Sequence, residues 1–178
     1  MISLTDGTRT EVQWDRKGLP YLADVSWVDN TELLITTETR DQKTLVVSLV
    51  NAITGVSEEI WSDTSDTWVD LVPGSPDRLP DRRLVVVADR DGWKRLLIGG
   101  IAVTGVEVNV RSVVSCDASG VVFMANPSDH PEALGAWRWT DEHGIHSLTA
   151  TDGMHSIATG GPTVVVRRAA ASLTRAIT

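Results

Sequence analysis

The chain has 178 residues, 42% of them hydrophobic and 22% charged, with a formal net charge of -8. That composition excludes a disordered polymer, and the acidic balance excludes both a basic nucleic-acid-binding face and attraction to an anionic membrane. Length and apolar content suffice for one domain with a core of ordinary size.

Strand signals dominate from the start. Trp27-Val28 leads through Asp29-Asn30 into Leu33-Leu34-Ile35-Thr36-Thr37, then a polar turn at Arg40-Asp41-Gln42. Leu45 to Val50 follows, then a turn from Asn51 to Gly55 and a short run ending at Ile60-Trp61. Short β-branched or apolar runs parted by turn residues are an all-β rhythm, and no long stripe at helical spacing competes with it.

A second unit opens at Trp68-Val69-Asp70-Leu71, and the Pro-rich stretch from Pro73 to Pro80 reads as an insertion ahead of Leu84 to Ala88. Next comes VADRDGWKRLL, Val87 to Leu97, with Asp91-Gly92 at its middle. An Asp-Gly pair between apolar runs predicts a tight hairpin, because glycine tolerates positive φ and aspartate bonds its own backbone. A third unit takes in Val108 to Val114, the turn Asp117-Ala118-Ser119-Gly120 and Val121 to Met124. After a loop holding Pro127 and Pro131, it continues with Leu134 to Trp139 and Gly144 to Leu148. The last begins at Met154-His155-Ser156-Ile157, turns at Gly160-Gly161-Pro162, runs from Thr163 to Val166 and fades beyond Arg167-Arg168.

Turn-then-strand blocks recur about every 40 residues with about four strands each, the length scale of propeller blades. The expected fold is therefore all-β: an incomplete β-propeller of about three four-stranded antiparallel blades, plus partial blades at both ends. The blades are placed at residues 22–62, 66–106 and 108–149, with partial blades at 1–15 and 153–178. A closed propeller needs roughly four to eight blades. The chain is thus expected to be part of a larger protein, or to pair with something that covers its end blades.

Several side chains invite a chemical reading. Asp89-x-Asp91-Gly92 has the opening of a calcium loop, but the stretch from Trp93 to Leu97 supplies no further oxygen ligands, so it is read as a turn. His143 and His146 are too few for zinc and fall on opposite sides of a strand, with His130 and His155 elsewhere. Asp63, Asp66 and Asp70 read as loop caps, and Arg82-Arg83 and Arg167-Arg168 as isolated pairs. Cys116 is the only cysteine, so no intramolecular disulfide forms, and it reads as a quiet thiol. The seven tryptophans are Trp14, Trp27, Trp61, Trp68, Trp93, Trp137 and Trp139. They are assigned mainly to packing, with glycan or peptide stacking as the competing use, and Trp137 and Trp139 share a face if they lie in a strand. No catalytic, cofactor-binding or metal-binding residue and no cofactor is assigned.

The motifs Tyr21-Leu22-Ala23-Asp24-Val25-Ser26-Trp27, Arg40-Asp41-Gln42, Thr54-Gly55 and Asp66-Thr67-Trp68-Val69-Asp70 occur in a telling order. With Leu79-Pro80-Asp81, Asp89-Arg90-Asp91-Gly92, Val103-Thr104-Gly105 and DASGVVFMA from Asp117 to Ala125, the chain resembles the β-propeller domain of the dipeptidyl peptidase IV family of serine peptidases. The resemblance extends to His155. It implies an eight-bladed propeller followed by an α/β-hydrolase domain, in a parent that releases N-terminal dipeptides with proline or alanine in second position. The family's catalytic serine, aspartate and histidine lie downstream of the matched region, and its substrate-gripping glutamates and arginine upstream. No functional residue of the family therefore carries over. Glu58-Glu59 look like the gripping pair but come too late in the order of motifs.

The implied partners are the missing blades, the hydrolase domain, the parent's peptide substrate and a second copy of the chain, with no nucleic acid and no membrane. The sequence contains no Gly-x-Ser-x-Gly elbow. The competing function is a stand-alone all-β module that binds peptide or carbohydrate. MISLTDGTRTEV lacks a secretion signal and no apolar window reaches membrane-spanning length, so the expected location is cytoplasmic.

Overall fold

The computed structural model describes residues 1–150, 152–160 and 163–169. The chain divides into two compact units, Met1–Asp70 and Leu71–Thr178, each with its own sheet system.

The first unit is one antiparallel meander, β1 (Tyr21–Trp27), β2 (Glu32–Glu38), β3 (Thr44–Asn51) and β4 (Ser57–Thr64), paired in chain order. The two central strands are buried along nearly their whole length, whereas β1 is largely exposed. Leu33, Ile35 and Val50 point to one face and form a small core, on which Met1, Val12, Trp14 and Ala52 pack. The segment ahead of β1, read as a flanking partial blade, contains one isolated bridge, Ile2 to Arg9. It lies on the first sheet through Gln13, whose amide donates to the Gly55 carbonyl at 2.8 Å. Gly55 has φ +75°, and a Cβ there would strike the Glu11 carbonyl, so the close approach requires glycine.

The second unit contains two more four-stranded antiparallel meanders and a hairpin. One meander is β5 (Asp77–Arg78), β6 (Leu84–Arg90), β7 (Trp93–Ile98) and β8 (Ile101–Ala102). The next is β9 (Val108–Asp117), β10 (Gly120–Pro127), β11 (Gly135–Thr140) and β12 (Gly144–Ser147). The hairpin is β13 (Met154–Gly160) with β14 (Thr163–Ala169). Gly161-Pro162 and the residues from Ala170 onward, both within the expected terminal partial blade, lie outside the described residues.

The Pro-rich stretch is a structural part of the second unit and not an insertion. Val113 donates its amide to the Pro73 carbonyl at 2.9 Å, and Val87 donates to Ser75 Oγ at 2.9 Å. Val72 and Leu79 are buried in the core, and Asp77–Arg78 forms the edge strand between them. The prolines fall just outside the two residues that pair with β6, so no ladder bond is lost.

Alternation along β6, β7, β9 and β10 places Val85, Val87, Leu96, Ile98, Val108, Val110, Val121 and Phe123 in one shared core between the two sheets. The hairpin joins this unit by a parallel bridge from Leu134 to Met154. Among the described residues no sheet closes into a barrel. Three four-stranded meanders and a two-stranded sheet make an incomplete β-propeller.

Candidate functional site

The Asp91-Gly92 turn joins β6 to β7 with φ values of 55° and 80° at its two central positions. Positive φ at both is the geometry of a two-residue hairpin turn that matches strand twist. Its acids are used locally, with Asp89 on Lys94 at 3.1 Å and Asp91 on Arg95 at 3.4 Å. The stretch reverses the chain.

The histidines serve different local roles. His155 is buried, and its amide and Nδ1 both donate to the Leu134 carbonyl, at 2.8 and 3.1 Å, fixing the hairpin to the sheet beside it. His130 and His143 are exposed beside Glu132 and Glu142, and His146 lies on β12. Among the described residues no group of three or more His, Cys, Asp or Glu side chains converges as metal ligands. Asp63 accepts from the Thr64 amide at 3.0 Å, and Asp70 from the Trp68 indole at 2.8 Å. Glu58 and Glu59 are exposed neighbours on β4, opposite Leu49 and Ser48, and as successive strand residues they face opposite sides. They do not form a paired grip.

Cys116 lies beside Asp77. Burial and the nearby carboxylate push the thiol far up, and burial raises Asp77 in turn. A thiol so placed stays protonated and is a poor nucleophile. Trp139 is buried and Trp137 packs against the same core, as their shared strand face requires. Trp14 covers the core of the first unit, whereas Trp27 and Trp68 are each 60% exposed. The paired tryptophans of β11 are therefore packing residues.

The most developed charged constellation was not apparent from the sequence. The β5–β6, β9–β10 and β11–β12 turns enclose an open groove of about 550 Å³. Within it Arg83 donates Nη1 and Nη2 to Asp141 Oδ1 and Oδ2 at 2.8 and 2.5 Å, and Nε to Asp81 Oδ2 at 2.7 Å. Its guanidinium lies 5.5 Å from the centre of the Trp139 ring. Hydrogen bonding to Arg83 holds the carboxyls of both Asp81 and Asp141 below the usual carboxylate range. On the opposite wall, Asp117 Oδ1 accepts from the Ser119 amide and hydroxyl at 2.7 and 2.5 Å. The cation is committed to two carboxylates, and the Ser119 hydroxyl and amide both close the β9–β10 turn on Asp117. The Arg83 constellation is a clasp between two sheets.

Comparison with known proteins fits this inventory. Residues 1–166 match the family model described as the dipeptidyl peptidase IV (DPP IV) N-terminal region. Among solved structures, the crystal structure of Porphyromonas gingivalis dipeptidyl peptidase 4 superposes with a TM-score of 0.64 at 19% identity. The match covers 79% of this chain and 21% of that one, so the chain spans about a fifth of its structural relative. At that identity the likeness speaks for the fold.

Proposed function

Since the chain belongs to the dipeptidyl peptidase IV N-terminal region family, we propose that it is the non-catalytic propeller portion of a dipeptidyl peptidase IV-like serine peptidase. In this reading the parent carries further blades and an α/β-hydrolase domain, and releases N-terminal dipeptides with proline or alanine in second position. The propeller helps gate and orient the peptide, while the hydrolase domain performs the acyl transfer.

The observation that carries the proposal is the family match over residues 1–166. Chemistry within the chain supports it. The sequence has no nucleophile elbow, its single thiol is held protonated, and the cation of its most elaborate charge cluster is shared between two carboxylates. In this reading the portion positions the substrate and leaves cleavage to the hydrolase domain.

The test is the reading frame that encodes the chain. The proposal expects additional strand units upstream and a hydrolase domain with a Gly-x-Ser-x-Gly elbow downstream, the whole product releasing dipeptides from a peptide with proline in second position. A frame with neither extension, or a complete product inert toward such peptides, would count against it.

A further inference from the structure

A second cleft, of about 250 Å³, lies at the end of the β5–β8 and β9–β12 sheets marked by the Asp91-Gly92 turn. Trp93, Asn109, Arg111, Asn126, Pro127 and Pro131 line it. Three features mark Arg111.

The first is backbone geometry. Along β9, Val110 pairs with Ala125 and Ser112 with Met124, so Arg111 is the extra residue of a β-bulge. A bulge re-aims a side chain at the cost of ladder pairing, and bulges concentrate next to binding sites. The second is positioning. Arg111 Nε donates to Asn126 Oδ1, and Asn126 Nδ2 in turn donates to the Ala133 carbonyl at 2.5 Å. The guanidinium is thereby held by a side chain that is itself held. The third is charge. Arg83, Lys94 and Arg95 each pair with a carboxylate. Arg111 bonds no carboxylate among the described residues, in a chain of net charge -8. A fixed guanidinium with free terminal nitrogens matches the two oxygens of a carboxylate.

The remaining walls indicate what accompanies that carboxylate. Asn109 Oδ1 is occupied by the Lys94 amide at 2.9 Å, and both ends of Asn126 are in use. Ser128 and Asn109 Nδ2 add a small polar margin, while Trp93 and the exposed Pro131 present apolar surface. We propose that this cleft binds the C-terminal carboxylate of a peptide, Arg111 gripping the anion while the terminal side chain lies against Trp93 and Pro131. This goes beyond the function proposed above, which places no ligand on named residues of the chain.

Isothermal titration calorimetry on the full chain tests it, with acetyl-Ala-Phe as the free acid and as its C-terminal amide, and the Trp93 indole resonance as a local reporter. The acid should bind saturably and shift that resonance. Binding should weaken about tenfold or more on amidation or in Arg111→Gln, the usual consequence of losing a charge-assisted bidentate pair. Arg111→Lys should recover only part of the affinity, since an ammonium cannot grip both oxygens. Arg111 is exposed, so circular dichroism should show both variants folded. Absence of binding at millimolar peptide, equal binding of acid and amide, or an unchanged Arg111→Gln variant would overturn the assignment. So would glucuronate or inorganic phosphate binding as tightly as the peptide acid.

Discussion

Arg83 holds both carboxylate oxygens of Asp141, 58 positions along the chain, and so ties the β5–β6 turn of one sheet to the β11–β12 turn of the next. A single exposed ion pair contributes little, but this one is bidentate, is shared with Asp81 and borders the Trp139 ring. Arg83→Gln should lower the melting temperature by about 3 °C. Arg83→Lys should lose nearly as much, because the fork is what fits. The carboxyls of Asp81 and Asp141 are depressed in the folded state, so their stabilising effect is complete at neutral pH and vanishes as pH falls through those lowered values. Melting curves should show the gap between wild type and Arg83→Gln narrowing once pH drops below the ordinary Asp range of about 3.9, and shrinking in high salt. A gap that persists in acid would mean that the loss comes from packing on Trp139.

Glu38 closes β2 at 3% exposure, and no described residue hydrogen-bonds or pairs with its carboxyl. Burial alone raises its pKa. A carboxyl raised in the folded state destabilises that state above the raised pKa, and the cost disappears as pH falls through it. Glu38→Gln should therefore melt about 2 °C higher than wild type at pH 7, the difference fading as the wild-type group takes up its proton. Lower stability of the variant at pH 7 would show that the charge has a use the geometry does not reveal.

Two glycines with positive φ separate strain from collision. At Gly92, φ is +80° and a Cβ would meet open space. At Gly120, φ is +109° and a Cβ would fall onto the Trp139 carbonyl of the neighbouring strand. Chemical denaturation should show Gly92→Ala costing about 1 kcal/mol from backbone strain. Gly120→Ala should cost about 3 kcal/mol, since strand β11 must also move. Equal losses would contradict the close approach at Gly120.

What the sequence reveals follows the range of the interaction. The hairpin at Asp91-Gly92 depends on its own φ angles, and a two-residue turn announces itself. The shared face of Trp137 and Trp139 follows from strand periodicity, and the all-β class from the repeated turn-then-strand rhythm. Strand β5 was hidden, because two paired residues among prolines show no alternation. The Arg83–Asp141 clasp has no local trace, since Arg82-Arg83 reads as an ordinary charged pair until two distant turns meet. Arg111 is marked only by a register shift, which cannot be read before the pairing of β9 with β10 is known. The dipeptidyl peptidase resemblance was legible because it resides in the order of turns, each weak alone.

The most direct test of a propeller portion without chemistry of its own is active-site labelling of the purified chain with a fluorophosphonate, read by mass spectrometry beside a chromogenic dipeptide assay. The expected result is no labelled serine and no dipeptide release. Stoichiometric modification of one serine, together with release that the same reagent abolishes, would contradict it.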